Sequence, residues 1–443
     1  MNKSVKRWER YSIESLTRGE TDASGRIFLS ALGQVMMDGV HVVHSGLDTV
    51  KQLYSGVLNV DVLGAISDMY SAGFGECIEL AGHVWLVGSG GKSGYQYRLQ
   101  NSDLGLIVFL KSRYAEVAQE FSHVKIECSP HWLHSRDIKI MSSELAALAG
   151  VFLSGVQPAG CAVHLCADVQ GWEPGQNFLD RLTTRARRLV SHKSARVLYV
   201  DMGEIATSYG EGQSYLLGSA SSVQMAVYRK DIQAKAVDKM DFWRDIWMSA
   251  REYDYDKVIY RDSAPVWRVE FRFHHSVLAD FGRGAASQME YGFTVEQARW
   301  AHIAGVSQYL QGLWNYGLEN FRLELHAEGV PRHFDPLWQF LLEDVRHSEP
   351  VGDAFYRRVK KMPGIGNEKN VMLAVGNLLS CYARSRFGVD YVMRCLKSCG
   401  IYDDLYNYMN NRAYRRQEIF SEDRIRQFVE KGLLTRKLLG RAA

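Results

Sequence analysis

The chain has 443 residues, 46% of them apolar and 23% charged, and carries a formal net charge of +3. That length and apolar content exclude a mainly disordered protein and predict a main domain with an accessory one. A charge so near balance excludes a uniformly basic exterior, so any surface for an acidic partner must be a local patch. Seven cysteines, at 77, 128, 161, 166, 381, 395 and 399, lack paired CxxC spacing and follow no secretory leader, which predicts reduced thiols and a cytoplasmic location. The longest apolar stretches, such as LAALAGVFLSGV, fall short of the ~20 residues of a membrane span, so no membrane partner is expected.

Residues 1–35 start with the run MNKSVKRWERYSIESLTRGETDASG, polar and mixed in charge, and read as a peripheral arm. GVHVVHSGLDTVKQLYSGVL reads as a short β run leading into a helix-like segment. HVWLVGSGGKSGYQYRLQNSDLGLIVFLKS gives three apolar runs broken by turn residues, a β-meander. Its GSGGKSG lacks the spacing of a phosphate loop and precedes a strand, so it reads as a hairpin turn. In HVKIECSP, Val124 and Ile126 share one face and Lys125 and Glu127 the other. MSSELAALAGVFLSG reads as a helix, and CAVHLCADVQGW as a strand with His164 and Asp168 on its non-core face, a ledge suited to a metal ion.

Residues 175–195, GQNFLDRLTTRARRLVSHKSA, read as a helix whose Arg181, Arg185 and Arg188 face outward, either as a phosphate-contacting face or as solvated charge. The next block is the most informative. YGEGQSYLLGSASSVQMAVYRKD contains two short β runs, the second setting Val223, Met225 and Val227 against Gln224, Ala226 and Tyr228, with Lys230 two residues on. DKMDFWRDIWMSAREYDYDKVI is amphipathic and expected to pack on the sheet. VWRVEFRF alternates Trp267, Val269, Phe271 and Phe273 with Arg268, Glu270 and Arg272, an apolar wall backed by a carboxylate between two guanidiniums. From Thr294 onward the texture is helical, which places a domain boundary near 293. No internal repeat is visible.

The order Tyr-x-x-Gly-Ser, apolar-Tyr-x-Lys, Trp-Arg-x-Glu-x-Arg resembles the signature of the Rep_trans replication initiation factors, the rolling-circle initiators and relaxases of plasmids, phages and conjugative elements. KIECSP resembles the family's Arg/Lys-apolar-Glu-x-x-Pro strand, and Asp168 falls on the second acid of its Arg-x-Asp-x-x-x-Asp pattern. Here His164 replaces the first acid, Ala162 the arginine before it, and Ala226 an arginine that often stands two residues before the tyrosine. The resemblance spans residues 40–290 and leaves the C-terminal third uncovered.

The resemblance implies that Tyr228 attacks a DNA phosphodiester and stays linked to the 5′ phosphate, assisted by Lys230 and Arg268. It implies a metal shell of Glu127, Asp168 and Glu270, with His164 left open between ligand and neighbour. Oxygen-rich ligands favour Mg²⁺ or Mn²⁺, and a histidine tilts the choice toward Mn²⁺. Phosphate contacts would fall to Arg229 and Arg272. The partners it implies are origin DNA, a host helicase and a second copy of the chain. The expected fold is α+β, with a mainly antiparallel central sheet carrying helices on one face, then a helical C-terminal domain. The expected domains are an arm at 1–35, a nicking domain at 36–293 and a helical DNA-binding or dimerisation domain at 294–443. A conjugative relaxase and a non-catalytic DNA-binding regulator remain as alternatives.

Overall fold

A computed structural model describes residues 13–438 except 20–26, 31–32, 38, 74, 92, 135, 176, 185–188, 192–213, 252–257, 289–298, 327–331, 348–357, 360–367 and 415–419. The chain divides into two compact units, Met1–Lys360 and Lys361–Ala443. The first unit starts with a three-stranded sheet of β1 (Thr17–Arg18), β2 (Ile27–Ser30) and β3 (Gly33–Met36). Leu16 and Phe28 enter the main core, and Gln339 bonds both the N–H and the C=O of Leu16, at 2.7 and 3.0 Å. The described part of the expected arm is therefore docked, because its apolar residues and backbone groups find buried partners.

The chain then runs through β4 (His41–Leu58), α1 (Val60–Ala72), β5 (Cys77–Leu80), β6 (His83–Ser89), β7 (Tyr95–Asn101), β8 (Leu106–Ser112) and β9 (Phe121–Cys128). Helices α2 (Pro130–His134) and α3 (Ile138–Phe152) lead to β10 (Leu153–Gln170). Next come α4 (Phe178–Arg181), β11 (Leu182–Thr184), β12 (Leu189–Ser191), β13 (Ser214–Gly218), β14 (Val223–Arg229), α5 (Lys230–Ala236), α6 (Met240–Met248) and β15 (Trp267–Phe273). The unit ends with α7 (His275–Gln288), α8 (Ile303–Val306), α9 (Leu310–Asn320), β16 (Phe321–Leu323) and α10 (Pro336–Glu343).

Eleven strands form one sheet in the order β12-β13-β14-β15-β10-β4-β9-β8-β7-β6-β5, with every neighbouring pair antiparallel. The α+β class and the meander through β6, β7 and β8 are as the sequence predicts, and GSGGKSG is the turn between β6 and β7. Gly218 turns β13 into β14 at a φ of +99°, where a Cβ would stand 2.2 Å from the Val223 carbonyl oxygen. The segment expected to begin as β and continue as helix is instead the single strand β4, because both of its edges are paired, by β9 and by β10. Among the described residues of 175–195, the expected helix is confined to Phe178–Arg181. Leu182–Thr184 pairs with β16, and tertiary pairing overrides the helical spacing.

One face of the sheet is apolar and covered. Val50, Val163, Leu165, Val269, Phe271 and Val227 are among its fully or almost fully buried contributors. The covering layer includes the segment that the sequence assigned to a separate domain. Trp314 lies edge-on to Phe271 with centroids 5.2 Å apart, and Gly317 approaches that ring so closely that a Cβ would stand 2.6 Å from it. Gln52, buried on this face, donates to the carbonyls of Gly160 and Ala301 and accepts from the Ile303 amide. The boundary near 293 thus gives way to one at 360/361, because Trp300, Leu313, Trp314, Trp338 and Leu341 belong to the first unit's main core. The second unit is helical, with α11 (Glu368–Arg384), α12 (Val389–Ser398), α13 (Ile401–Tyr414) and α14 (Glu422–Leu438) around Val375, Leu396, Leu405 and Val429. No described helix is long and apolar enough to cross a membrane.

The sheet repeats itself about the β4–β10 seam. On one side Ile107, Val108 and Phe109 of β8 oppose Glu127, Ile126 and Lys125 of β9. On the other, Ala226, Val227 and Tyr228 of β14 oppose Glu270, Val269 and Arg268 of β15 in the same register. Lys51 of β4 opposes Glu127 as Cys166 of β10 opposes Glu270, and the seam pairs Thr49 with His164. The β4–β10 seam carries four register shifts, and one of them falls beside these residues. His164 pairs with Thr49 but Leu165 pairs with Leu47, so Asp48 is the extra residue of a β-bulge.

Candidate metal and tyrosine site

The second face of the sheet gathers most of the residues that the sequence singles out. Alternation in β15 sends Arg268, Glu270 and Arg272 away from the core, and the registers of β10 and β14 set His164, Cys166, Asp168, Ala226 and Tyr228 beside them. Glu270 is the hub. Its Oε2 accepts from the Tyr228 hydroxyl at 2.8 Å, and its Oε1 accepts from Arg272 Nε at 2.8 Å and lies 3.2 Å from His164 Nδ1. Burial pushes the Glu270 carboxyl up, but Arg272, His164 and Arg268 outweigh it and hold the group well below the usual carboxylate range.

Asp48, the bulged residue, completes the cluster. Asp48, His164 and Glu270 each offer one ligand atom, and these atoms lie within 4.8 Å of one another. Asp48 accepts from the Thr49 hydroxyl at 2.9 Å, is ion-paired with Arg268 and lies 3.5 Å from Lys230 Nζ. Among the described residues this is the one group of three or more His, Cys, Asp or Glu residues placed to share an ion. Two carboxylates and an imidazole suit a divalent ion such as Mn²⁺, and Asp48 also borders an open cavity from which further oxygen ligands can enter.

Two expected ligands are placed elsewhere. Asp168 accepts from Arg268 Nε at 2.5 Å, from Arg268 Nη2 at 2.7 Å and from Trp247 Nε1 at 2.8 Å, so donors occupy both of its oxygens in a fully buried site. Asp168 fixes Arg268, and it stands outside the three-residue cluster. Glu127 faces the same side on β9, one strand beyond β4, and is paired with Lys125 at 2.7 Å and Lys51 at 3.4 Å. Burial raises its carboxyl, and the two ammonium groups overcome that and keep it ionised. Each of these carboxylates is taken up by protein cations and stands outside the group of ligand atoms close enough to share one ion.

Tyr228 is half-buried at the end of β14, with Lys230 Nζ 5.9 Å from its ring centre. Burial and then the charge of Glu270 push its phenol well above the usual value, with Arg268 and Arg272 opposing. Burial and then Arg268 lower the Lys230 ammonium, against the pull of Asp48. Lys230 and Arg268 both lie over the Trp243 ring, at 4.3 and 4.2 Å, so α6 clamps the cationic pair against the sheet. This helix, expected only to pack on the sheet, covers part of its polar face through Trp243, Ile246 and Trp247.

The arginines expected to contact DNA are all tied to carboxylates where they are described. Arg229 forms a two-pronged pair with Asp231 at 2.9 and 2.7 Å, Arg272 holds Glu270, and Arg181 holds Asp335 at 2.8 Å. Arg185 and Arg188 lie outside the described residues. The sequence reading missed Asp48 and the two tryptophans of α6. Asp48 stands in HSGLDT, within the segment read as a β run leading into a helix, a reading that gives it no ligand role.

No protein-family model matches the chain, and no solved structure matches it. Over 371 residues, 82% of this chain and 83% of its relative, the chain is 35% identical to the uncharacterized protein ORF430 of Pseudomonas phage Pf1, and it belongs to the same family as that phage protein.

Proposed function

We propose that the protein nicks and rejoins single-stranded DNA through Tyr228, with a divalent ion on Asp48, His164 and Glu270, as the initiator of rolling-circle replication of a phage or related element. The observation that carries this reading is the 2.8 Å hydrogen bond from the Tyr228 hydroxyl to a carboxylate that belongs to a three-residue ligand cluster. The Tyr-x-Lys and Trp-Arg-x-Glu motifs and the kinship with a phage protein support it.

In the reaction, the Tyr228 oxygen attacks a backbone phosphorus and its proton passes to the acceptor already in place, Glu270 Oε2. One P–O bond forms to the tyrosine and one breaks to the 3′ oxygen, which takes the proton from Glu270 and leaves as a hydroxyl. The strand's bond energy is kept as a phosphotyrosine, so a 3′ hydroxyl can reverse the step. Arg268 and Lys230, held by Asp48, Asp168 and Trp243, stand beside the phenol as fixed cations for the phosphoryl charge. When bound, the divalent ion polarises the phosphate and offsets the carboxylate charge that keeps the phenol protonated.

The test is incubation of the protein with single-stranded and supercoiled DNA of its own replicon and Mn²⁺, scored for nicked circles and denaturant-stable adducts. The reading expects an adduct that disappears with chelator and with Tyr228→Phe. Tight DNA binding without any adduct would sink it in favour of a binding module.

A further inference from the structure

The charge of the chain is unevenly divided between its two units. Residues 361–443 hold fifteen Lys and Arg against eight Asp and Glu, a net charge of +7, while residues 1–360 hold 38 against 42, a net charge of −4. The near balance of the whole chain therefore conceals a basic second unit. Its cations meet aromatic rings at one corner, where α11 turns into α12. Phe387 and Tyr391 stack there with centroids 4.3 Å apart, and they remain 37% and 41% exposed. Exposed arginines flank the stack: Arg384 at the end of α11, Arg386, whose φ of +58° turns the chain, and Arg394, one helical turn on from Tyr391 on the same face of α12. None of the three has an ion-pair partner among the described residues. Lys437 of α14 reaches the same corner and donates to the Phe387 carbonyl at 3.3 Å. Asp390, next to Tyr391, is already paired with Arg426 at 2.6 Å.

We propose that this corner of the second unit binds single-stranded DNA, through its phosphates and one or more unpaired bases; the choice of DNA as the polyanion rests on the strand-nicking reading above. Guanidiniums with no carboxylate to displace suit the phosphates, and an unpaired base can extend the Phe387–Tyr391 stack, the combination of cations and ring faces that holds a single strand. A duplex keeps its bases stacked on one another and leaves the rings without that contact. The first unit is a poorer place for the strand's phosphates, since it is acidic overall and its Arg181, Arg229 and Arg272 are each held by a carboxylate. A second copy of the chain is the competing occupant of an exposed ring pair. A two-fold contact there would set these arginines near their own counterparts, and like charges across an interface oppose it.

The experiment measures binding of a fluorescent oligonucleotide of mixed sequence, single-stranded or annealed to its complement, to the full-length Tyr228→Phe protein in chelator. Anisotropy is read across a salt series, with folding checked by thermal melts and oligomeric state by sedimentation. Arg384→Gln, Arg386→Gln and Arg394→Gln combined should lower the salt slope of log affinity by about two, the share of three phosphate contacts at ~0.7 each. Tyr391→Ala should weaken single-strand binding about tenfold at unchanged slope and leave duplex binding as it was. Single-strand affinity and slope unchanged in the triple variant, or an equal loss of duplex binding in Tyr391→Ala, would overturn the assignment. So would a changed oligomeric state with DNA binding intact, which would give the corner to a second copy. Because the assay contains neither the tyrosine hydroxyl nor a metal ion, its outcome is separate from cleavage. Nicking by the wild-type protein with binding unchanged in the triple variant removes this assignment alone, and the expected fall in slope without any wild-type adduct removes the nickase alone.

Discussion

The two halves of the large sheet share a backbone plan and differ in what lies on their polar face. Around β10 and β15 stand Tyr228, Arg268 and Glu270, and around β4 and β9 the corresponding positions hold Phe109, Lys125 and Glu127. Opposite Glu270 is the uncharged Cys166, while opposite Glu127 is Lys51, whose ammonium lies 3.4 Å from the carboxylate. One half thus closes its carboxylate with internal cations. In the other, Glu270 is left with His164 and the bulged Asp48 as neighbours able to share an ion. The same register therefore supports a carboxylate closed by two lysines on one side and, on the other, a carboxylate that is paired with Arg272 and also has two neighbours placed to share an ion.

The comparison breaks most sharply at the aromatic position. Tyr228→Phe makes the two halves alike there, and covalent DNA adducts should fall below detection while melting temperature and DNA binding hold. Adding Phe109→Tyr to that variant should restore nothing, since the ring is buried beneath Lys125, 4.1 Å above it. An adduct in the double variant would show that the halves are chemically interchangeable.

The two glutamates should separate next. Glu270→Gln should weaken Mn²⁺ binding, followed by calorimetry, by at least about a hundredfold, since it removes a charged ligand atom and not merely a neighbour of one. Glu127→Gln should leave metal binding unchanged and show only in urea melts, by about 3 kcal/mol, the scale for breaking a buried ion pair. Equal losses of metal binding in both would restore Glu127 to the shell.

Deleting Asp48 tests the bulge. Removing that one residue should abolish the register shift between His164 and Leu165, and the expected loss of Mn²⁺ affinity is about ten- to a hundredfold. Asp168→Asn, by contrast, should lower stability through Arg268 without that loss of metal.

The smallest effect is in pH. His44, opposite Asp168 on β4, is pushed by burial down to about 4. The unfolded chain takes up this proton near pH 6.5, so the stabilisation from a neutral His44 is complete above that pH. It declines as pH falls toward 4, by about 3 kcal/mol in all. The carboxylates of Asp168 and Glu127, held low by their cations, keep their contribution over this window and lose it only below pH ~4. Urea melts of His44→Gln between pH 7 and 4 should therefore be flatter than those of the wild type, and identical slopes would dismiss His44 as the group responsible.

Much of the site is legible in the sequence because strand alternation is local. Period-2 spacing in VWRVEFRF and SVQMAVYRKD assigns Arg268, Glu270, Arg272 and Tyr228 to one face, and CAVHLCADV does the same for His164 and Asp168, with no knowledge of which strands are neighbours. Three things are not legible. A bulge is defined by the partner strand, so nothing in HSGLDT marks Asp48 as the extra residue. Whether a carboxylate meets a lysine, an arginine or a metal ion depends on sheet order, which sets Lys51 beside Glu127 and Arg268 beside Asp168. The repeat about the seam lies in registers and not in residue identities, so the sequence hides it. The domain boundary fails for a related reason: helical texture from Thr294 onward identifies the elements, but only the packing of Trp314 and Gly317 on Phe271 reveals that they cover the sheet.

The sequence by itself determined the α+β class, the meander, and the side of each strand on which the chemistry lies, because these follow from spacing along a single strand or helix. The tertiary structure alone decided which three residues can share an ion, which carboxylates are neutralised within the protein, and where the first unit ends. Those depend on contacts between residues distant in the chain, and long-range pairing and packing set them.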